Sequence, residues 1–409
     1  MTEYILATDT LHSIAERYPE TVAVFASNGF PQMEDAALRE QFGKMITLDA
    51  ALTMKNLNRE TFISLLREVI SAERNSADQT LTRPEAKNEE GLNVVGLLPC
   101  PIRIPLLEQY NSFAEETGLT SVNTELKAAS VGTRWVADNL AGITTPEELP
   151  DLFMSAGFDL FFDLEKIGRF REHGVFADLV QYTDENPLFE GRGLRDPSGN
   201  YSLISVVAAI FLVNTAELEG REIPRSWADL LEPEWERSIS LPVGDFDLFN
   251  AILLNIHDRY GDAGVEKLGR SMLLSMHPAQ MIKSNRMKQK RPAITIMPYF
   301  FTKTAKEGGT MKPIWPEDGA IISPIFMLAK KERGAELQPI VDFFASKAVG
   351  ETLSHQGLFP SLHPEVDNKL PADTPMMWLG WNKILQTDLS AQIARCEELF
   401  NRSHQGGGK

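Results

Sequence analysis

The sequence predicts an α/β protein of two lobes preceded by a small all-α unit. The chain has 409 residues, too many for one ordinary core and suited to two or three domains of roughly 100–200 residues each. Apolar stripes at helical spacing fill residues 1–74. Beyond a polar stretch at 75–91, segments of strand and helix character alternate to residue 400. Such alternation is the pattern of a parallel sheet flanked by helices, and its length favours two lobes.

The first unit reads as four short helices. Thr10 caps a helix with Leu11, Ile14, Ala15 and Tyr18 on one side and Pro19 closing it. A second carries Val22 and Phe25 up to an Asn28-Gly29 stop. Thr47 caps a third with Leu48, Ala51 and Leu52, and Asn58 a fourth with Phe62, Leu65, Leu66 and Val69. Thr10, Thr47 and Asn58 each set an oxygen-bearing cap before a single apolar face. The stretch 75–91, NSADQTLTRPEAKNEEG, has almost no large apolar residue to offset ordering entropy and reads as a flexible tether. The closing SHQGGGK reads as a disordered tail over 401–409.

In the main domain, LNVVGLL at 92–98 is an apolar run suited to a buried parallel strand. The following PLLEQYNSFAEETG predicts a helix with Pro105 in its first turn and Gly118 at its end. TSVNTELKAAS, a helix from Thr133 onward, and DLFMSAGFDLFF as a strand and turn continue the alternation.

Composition narrows the function. Hydrophobic residues make up 43% and charged residues 24%, as in soluble globular proteins. A net charge of −17 argues against nucleic acid, whose phosphates need clustered Lys and Arg. Runs such as SVVAAIFLV at 205–213 fall short of the ~20 residues of a spanning helix, so no membrane insertion is expected. Cys100 and Cys396 are the two cysteines, in no CxxC arrangement, and the histidines lack i, i+4 pairing. No cofactor and no transition-metal centre are expected. The opening MTEYILATDTLHSIAERY shows no basic n-region, apolar h-region or small-residue cleavage site. A cytoplasmic monomer is therefore expected.

Residues 226–243, SWADLLEPEWERSISLPV, resemble a segment of periplasmic-type substrate-binding proteins, in particular the group that includes ferric-ion and polyamine binders. The resemblance extends through DLFMSAGFD at 151–159, GVFADL at 174–179, FLVNT at 211–215, MPYFF at 297–301 and DGAIISPIFMLAKK at 318–331. It implies a periplasmic-binding-protein-like (type II) domain over 92–400. One lobe would span about 92–208 and 317–400, the other about 209–316. Ligand would lie between them and the lobes would close by hinge motion. It also implies an ABC transporter permease as partner and the periplasm as the alternative location. TLHSIAERYPETVAVFASNGF at 10–30 resembles the small helical domain at the N terminus of di-iron cluster-repair proteins. Where that family carries cysteines, Phe30, Pro31 and Gln32 stand here, leaving no thiolate for a soft metal. That unit reads as a docking or oligomerisation module.

Ligands of doubly wound sheets bind at the carboxyl ends of strands. Candidates there are Cys100 and Arg103 after the first strand, the latter able to pair with an anion. Ser130 and the Ser155-Ala156-Gly157 turn end later strands. Asp245 and Asp247 stand where a strand gives way to a helix, as caps or as carboxylates for a cation. Tyr299 lies where ferric-binding relatives carry paired tyrosinates, but Phe300 replaces the second, which weakens an iron assignment. Trp315 and Asp318 flank the return crossover, where aromatic walls line the cleft of amine-binding relatives.

The expected function is non-catalytic binding of a small molecule or ion. Two alternatives are an enzyme on the same fold with Cys100 as nucleophile and a ligand-sensing scaffold whose helical unit docks a cytoplasmic partner protein.

Overall fold

The structure is a computed structural model. It describes residues 5, 8–19, 21–27, 30–33, 35–55, 59, 62, 63, 66, 91–98, 102–119, 121–128, 143–164, 167–243, 246–275, 291–305 and 308–406. The chain divides into two compact units, the described residues up to 66 falling in the first and those from 91 on in the second.

The N-terminal unit is helical: Leu11–Arg17, Thr21–Ser27, Ala36–Met45 and Leu48–Met54. Thr10 and Thr47 act as the expected caps, each side chain accepting from the backbone N–H three residues on. The helix Ala36–Met45 was not expected. Asp35 caps it, and Leu38, Phe42 and Met45 recur at helical spacing, though Leu38 and Met45 remain exposed while Phe42 packs on the core. Leu11, Ile14, Phe25, Phe30, Met33, Leu48, Phe62 and Leu66 form the core. Phe30 is fully buried, with its ring edge-on to Phe25 at 6.5 Å. Asn58, Leu65 and Val69, assigned to a fourth helix, lie outside the described residues, as do 75–90 of the tether and Thr133, the expected start of another helix.

The second unit is built on a sheet that is mixed, not parallel as expected. Strand β1 (Leu92–Leu98) pairs parallel with β2 (Val122–Ala128) and β3 (Leu152–Ala156). After β4 (Phe176–Ala177) comes β5 (Ser202–Asn214), then β6 (Ile239–Leu241), β7 (Met272–Ser275), β8 (Ile294–Pro298), β9 (Met311–Ile314), β10 (Ala320–Lys330) and the short β11 (Met376–Met377). The order is β2-β1-β3-β10-β5-β8-β6-β7. The two longest strands, β5 and β10, run antiparallel to their neighbours β3 and β8. Runs buried on both faces look alike in sequence whichever way the chain points, so the reversal carried no signal.

The helix Arg103–Thr117 ends as predicted. Gly118 is left-handed at φ 67° and its N–H donates to the carbonyls of Ala114 and Glu115. A Cβ there would meet no atom within 4 Å, so Gly118→Ala is purely a backbone change. It should cost about 1 kcal/mol in urea denaturation.

Two further expectations are corrected. Residues 151–162 form β3 and then a helix, Phe158–Phe162, in place of a turn. The segment read as a tail is helical to Gly406, at the end of Leu389–Gly406. Cys396 and Phe400 of that helix are fully buried, Arg402 pairs with Glu266 at 3.0 Å, and Arg237 donates to the His404 carbonyl. Docking, not intrinsic propensity, carries the helix through SHQG; residues 407–409 lie outside the described residues.

Candidate functional site

The register locates the carboxyl ends of both halves of the sheet. Ala156, the last residue of β3, is opposite Ile325 of β10, and Ile325 is opposite Ser205 of β5. Pro298, the last residue of β8, is opposite Ala209 of β5, and Ala209 is opposite Ile321. The strands β3 and β8 therefore point their ends at each other across residues 205–209 of β5. Four residues of strand span roughly 13 Å, the width of a small solute. The floor of that gap is the antiparallel ribbon 205–209 against 321–325.

Several candidates stand at these ends. Ser155 and Ala156 close β3, and Gly157 makes the turn into Phe158–Phe162 at φ 116°, a conformation that favours glycine. Ser155 Oγ donates to the Ala156 carbonyl at 3.0 Å. Arg103 is the first residue of the helix that follows β1. Its N-cap, Ile102, makes no side-chain cap bond, so the leading N–H groups have no cap from that residue. Asp247 lies in the first turn of Phe246–Ser271, the helix after β6. Tyr299 follows β8 directly. Its ring stands edge-on to Trp315 at 5.2 Å, and burial pushes the phenol pKa up. Trp315 donates Nε1–H to the Pro375 carbonyl at 2.6 Å. Cys100, Ser130 and Asp245 lie outside the described residues.

Asp318 has a structural task. Its carboxylate accepts from the Trp227 N–H at 3.0 and 3.1 Å and from the Tyr260 hydroxyl at 3.1 Å. It anchors the helix Trp227–Leu230 and the helix Phe246–Ser271, and the pattern DGAII alone did not reveal this.

Sequence reasoning missed two features. Ser323 lies at the middle of the ribbon floor, opposite Val207. It is 1% exposed, and its hydroxyl has no hydrogen-bond partner among the described residues. A lone serine inside AIISPIFMLAK was the available signal. Phe300, next to Tyr299, packs on Phe359 at 5.2 Å between ring centroids, joining the core beneath β1 and β3. The position of a second tyrosine is thus occupied by an apolar contact across the gap.

Facing strand ends joined by two shared strands define the architecture of a two-lobed solute-binding protein, and comparison with known proteins agrees. The family model for bacterial extracellular solute-binding proteins matches residues 147–387, and the chain belongs to that family. Residues 5–63 match a domain of unknown function, DUF1858. The fold is shared with solved structures of low sequence identity. One is the Bordetella ferric binding protein (13% identity, 78% of this chain and 100% of that one, TM-score 0.53). Another is the substrate binding protein of an ABC transporter from Agrobacterium tumefaciens (16%, 77% and 97%, TM-score 0.53). A third is the periplasmic binding protein AfuA from Actinobacillus pleuropneumoniae, with exogenous fructose-6-phosphate bound (13%, 77% and 98%, TM-score 0.52). No curated protein matches. No helix among the described residues is long and apolar enough to cross a membrane.

Proposed function

We propose that this protein binds a small anionic solute between the facing strand ends. One lobe would be formed by about 92–208 and 317–400, the other by 209–316. The observation that carries the reading is the register: β3 and β8 end on opposite sides of the same short stretch of β5. Ligand contacts present only when both lobes engage would favour a closed form by hinge motion.

The chemistry of the ends favours an anion over ferric iron. The helix at Arg103 lacks a side-chain cap from Ile102, and Phe300 turns an expected oxygen donor into an aromatic contact with Phe359. Hard cations need several oxygens. Ser155, Gly157, Tyr299 and Trp315 would border the ligand, with Arg103 as its counter-charge.

The test is a thermal-shift series with fructose-6-phosphate, inorganic phosphate and ferric citrate, paired with small-angle scattering. A rise in melting temperature with a phosphate compound, with a smaller radius of gyration, is expected. A shift with ferric citrate that iron-free citrate does not reproduce overturns the anion assignment, and a shift without compaction overturns hinge closure. Ser323→Ala should weaken the responding ligand about five- to tenfold, the worth of one hydrogen bond from the floor. Isothermal calorimetry measures it.

Solute-binding proteins of this kind deliver to a transporter permease, which is the partner this reading implies. The family description places its members outside the cytoplasm, against the cytoplasmic expectation. Fractionation of the native host decides between the two, and an exclusively cytoplasmic protein would favour sensing over transport.

A further inference from the structure

A second depression is lined by none of the residues that border or floor the gap between the strand ends. It has a cavity volume of about 60 Å³, is open at its mouth, and is lined by residues from 178 to 203 and by Leu362. These come from the segment between β4 and the start of β5, with none from β6 to β9.

One polar atom there lacks a partner, and a carboxylate oxygen beside it is held only by a long, half-exposed ion pair. The Asp178 side chain is 10% exposed. Its Oδ1 accepts from the Val180 N–H at 3.1 Å and the Ser202 hydroxyl at 2.6 Å. Its Oδ2 has Arg195 Nε at 3.5 Å, beyond ordinary hydrogen-bond length. Arg195 is itself half exposed, and water competes for it. The Tyr182 hydroxyl is buried, with no hydrogen-bond partner among the described residues. Burial and, second, the charge of Asp178 push its pKa up, so the phenol is neutral and keeps a lone pair to offer. A buried hydroxyl left without a partner is destabilising, so a ligand that meets it gains by doing so.

A single chemical group answers both. An ammonium has three donors and a positive charge, and it satisfies a carboxylate and a phenol oxygen together. An anion would face Asp178, Asp184 and Glu185, all in the lining. The remaining wall, including Val180, Phe189 and Leu203, suits an apolar body. We propose that this depression binds a primary amine with an apolar body, its ammonium on Asp178 Oδ2 and the Tyr182 oxygen. Arg195 is the group it displaces.

Isothermal calorimetry with 2-phenylethylamine, 2-phenylethanol and 3-phenylpropanoate tests this on the full chain. The amine should bind and the carboxylate should not. Tyr182→Phe should weaken the amine about tenfold, and Arg195→Ala should strengthen it severalfold by removing its competitor. Ser323→Ala should leave it unchanged, which separates this site from the gap between the strand ends. Circular dichroism melting verifies that each variant is folded. The proposal is overturned if the amine does not bind, if the three probes bind alike, or if folded Tyr182→Phe and Arg195→Ala both retain the parent affinity.

Discussion

Lys330→Met should destabilise the second unit by about 3–5 kcal/mol, seen as a lower guanidinium midpoint with unchanged slope. Lys330 and Asp151 are 5% and 6% exposed in their side chains and approach to 3.4 Å. Asp151 also accepts from the Asn93 N–H at 2.8 Å, and Lys330 Nζ donates to the Glu147 carbonyl at 3.3 Å. The pair therefore fastens the amino ends of β1 and β3 to the carboxyl end of β10. Removing the lysine leaves a carboxylate in a desolvated site with only the distant Arg333, at 4.0 Å, as counter-charge. Most of the cost is that stranded charge, not the lost pair. The double variant Asp151→Asn/Lys330→Met should thus recover much of the stability. If it is no more stable than Lys330→Met alone, the ion-pair account is wrong and packing of the lysine stem is the cause.

Trp227→Ala should cost about 3–5 kcal/mol, the range for deleting a large buried aromatic. Trp227 is fully buried and edge-on to Phe211 of β5 at 4.9 Å. Its Nε1–H donates to the Gly319 carbonyl at 2.9 Å, and its backbone N–H donates to Asp318. Ser226 and Asp229 form a capping box around it. The segment SWADLLEP is therefore a clip that ties the exit of β5 to the entry of β10. Trp227→Phe keeps most of the ring and loses the Nε1 bond, so it should cost about 1–3 kcal/mol. Equal losses for both substitutions would show that the hydrogen bond, not the ring volume, does the clipping.

Much of the fold was legible from the sequence because its signals are local. Thr10, Thr47 and Gly118 announce helix ends through chemistry within four residues. The family resemblance supplied the long-range arrangement that no local pattern contains. What stayed hidden is set by tertiary contact. The apolar residues of the helix Ala36–Met45 are mostly exposed, with Phe42 packed on the core, and SHQG is helical because neighbouring side chains hold it. The direction of β10 leaves no trace in a run buried on both faces. The candidate site divides the same way. Ser155, Gly157 and Tyr299 were expected at strand ends, and they stand there. Asp318 looked equally suited, yet its partners Trp227 and Tyr260 lie 91 and 58 residues away, and sequence gives no view of such pairings. Ser323 was missed because a strand interior carries no expectation of function.

The ribbon formed by β5 and β10 has a mechanical consequence. Because both strands pass without interruption from one half of the sheet to the other, the halves are joined by a torsion element, not a loose joint. Two-stranded ribbons accept more twist than wide sheets, while sliding one strand past the other would break the whole ladder from Ser202 to Ala209. Pro324 has no N–H to contribute, and the register shifts between Ile325 and Phe326, so the ladder is most compliant near its midpoint. Any relative motion of the halves that the proposed closure requires would therefore be a rotation about the ribbon axis, opposed by a restoring torque from that short stretch.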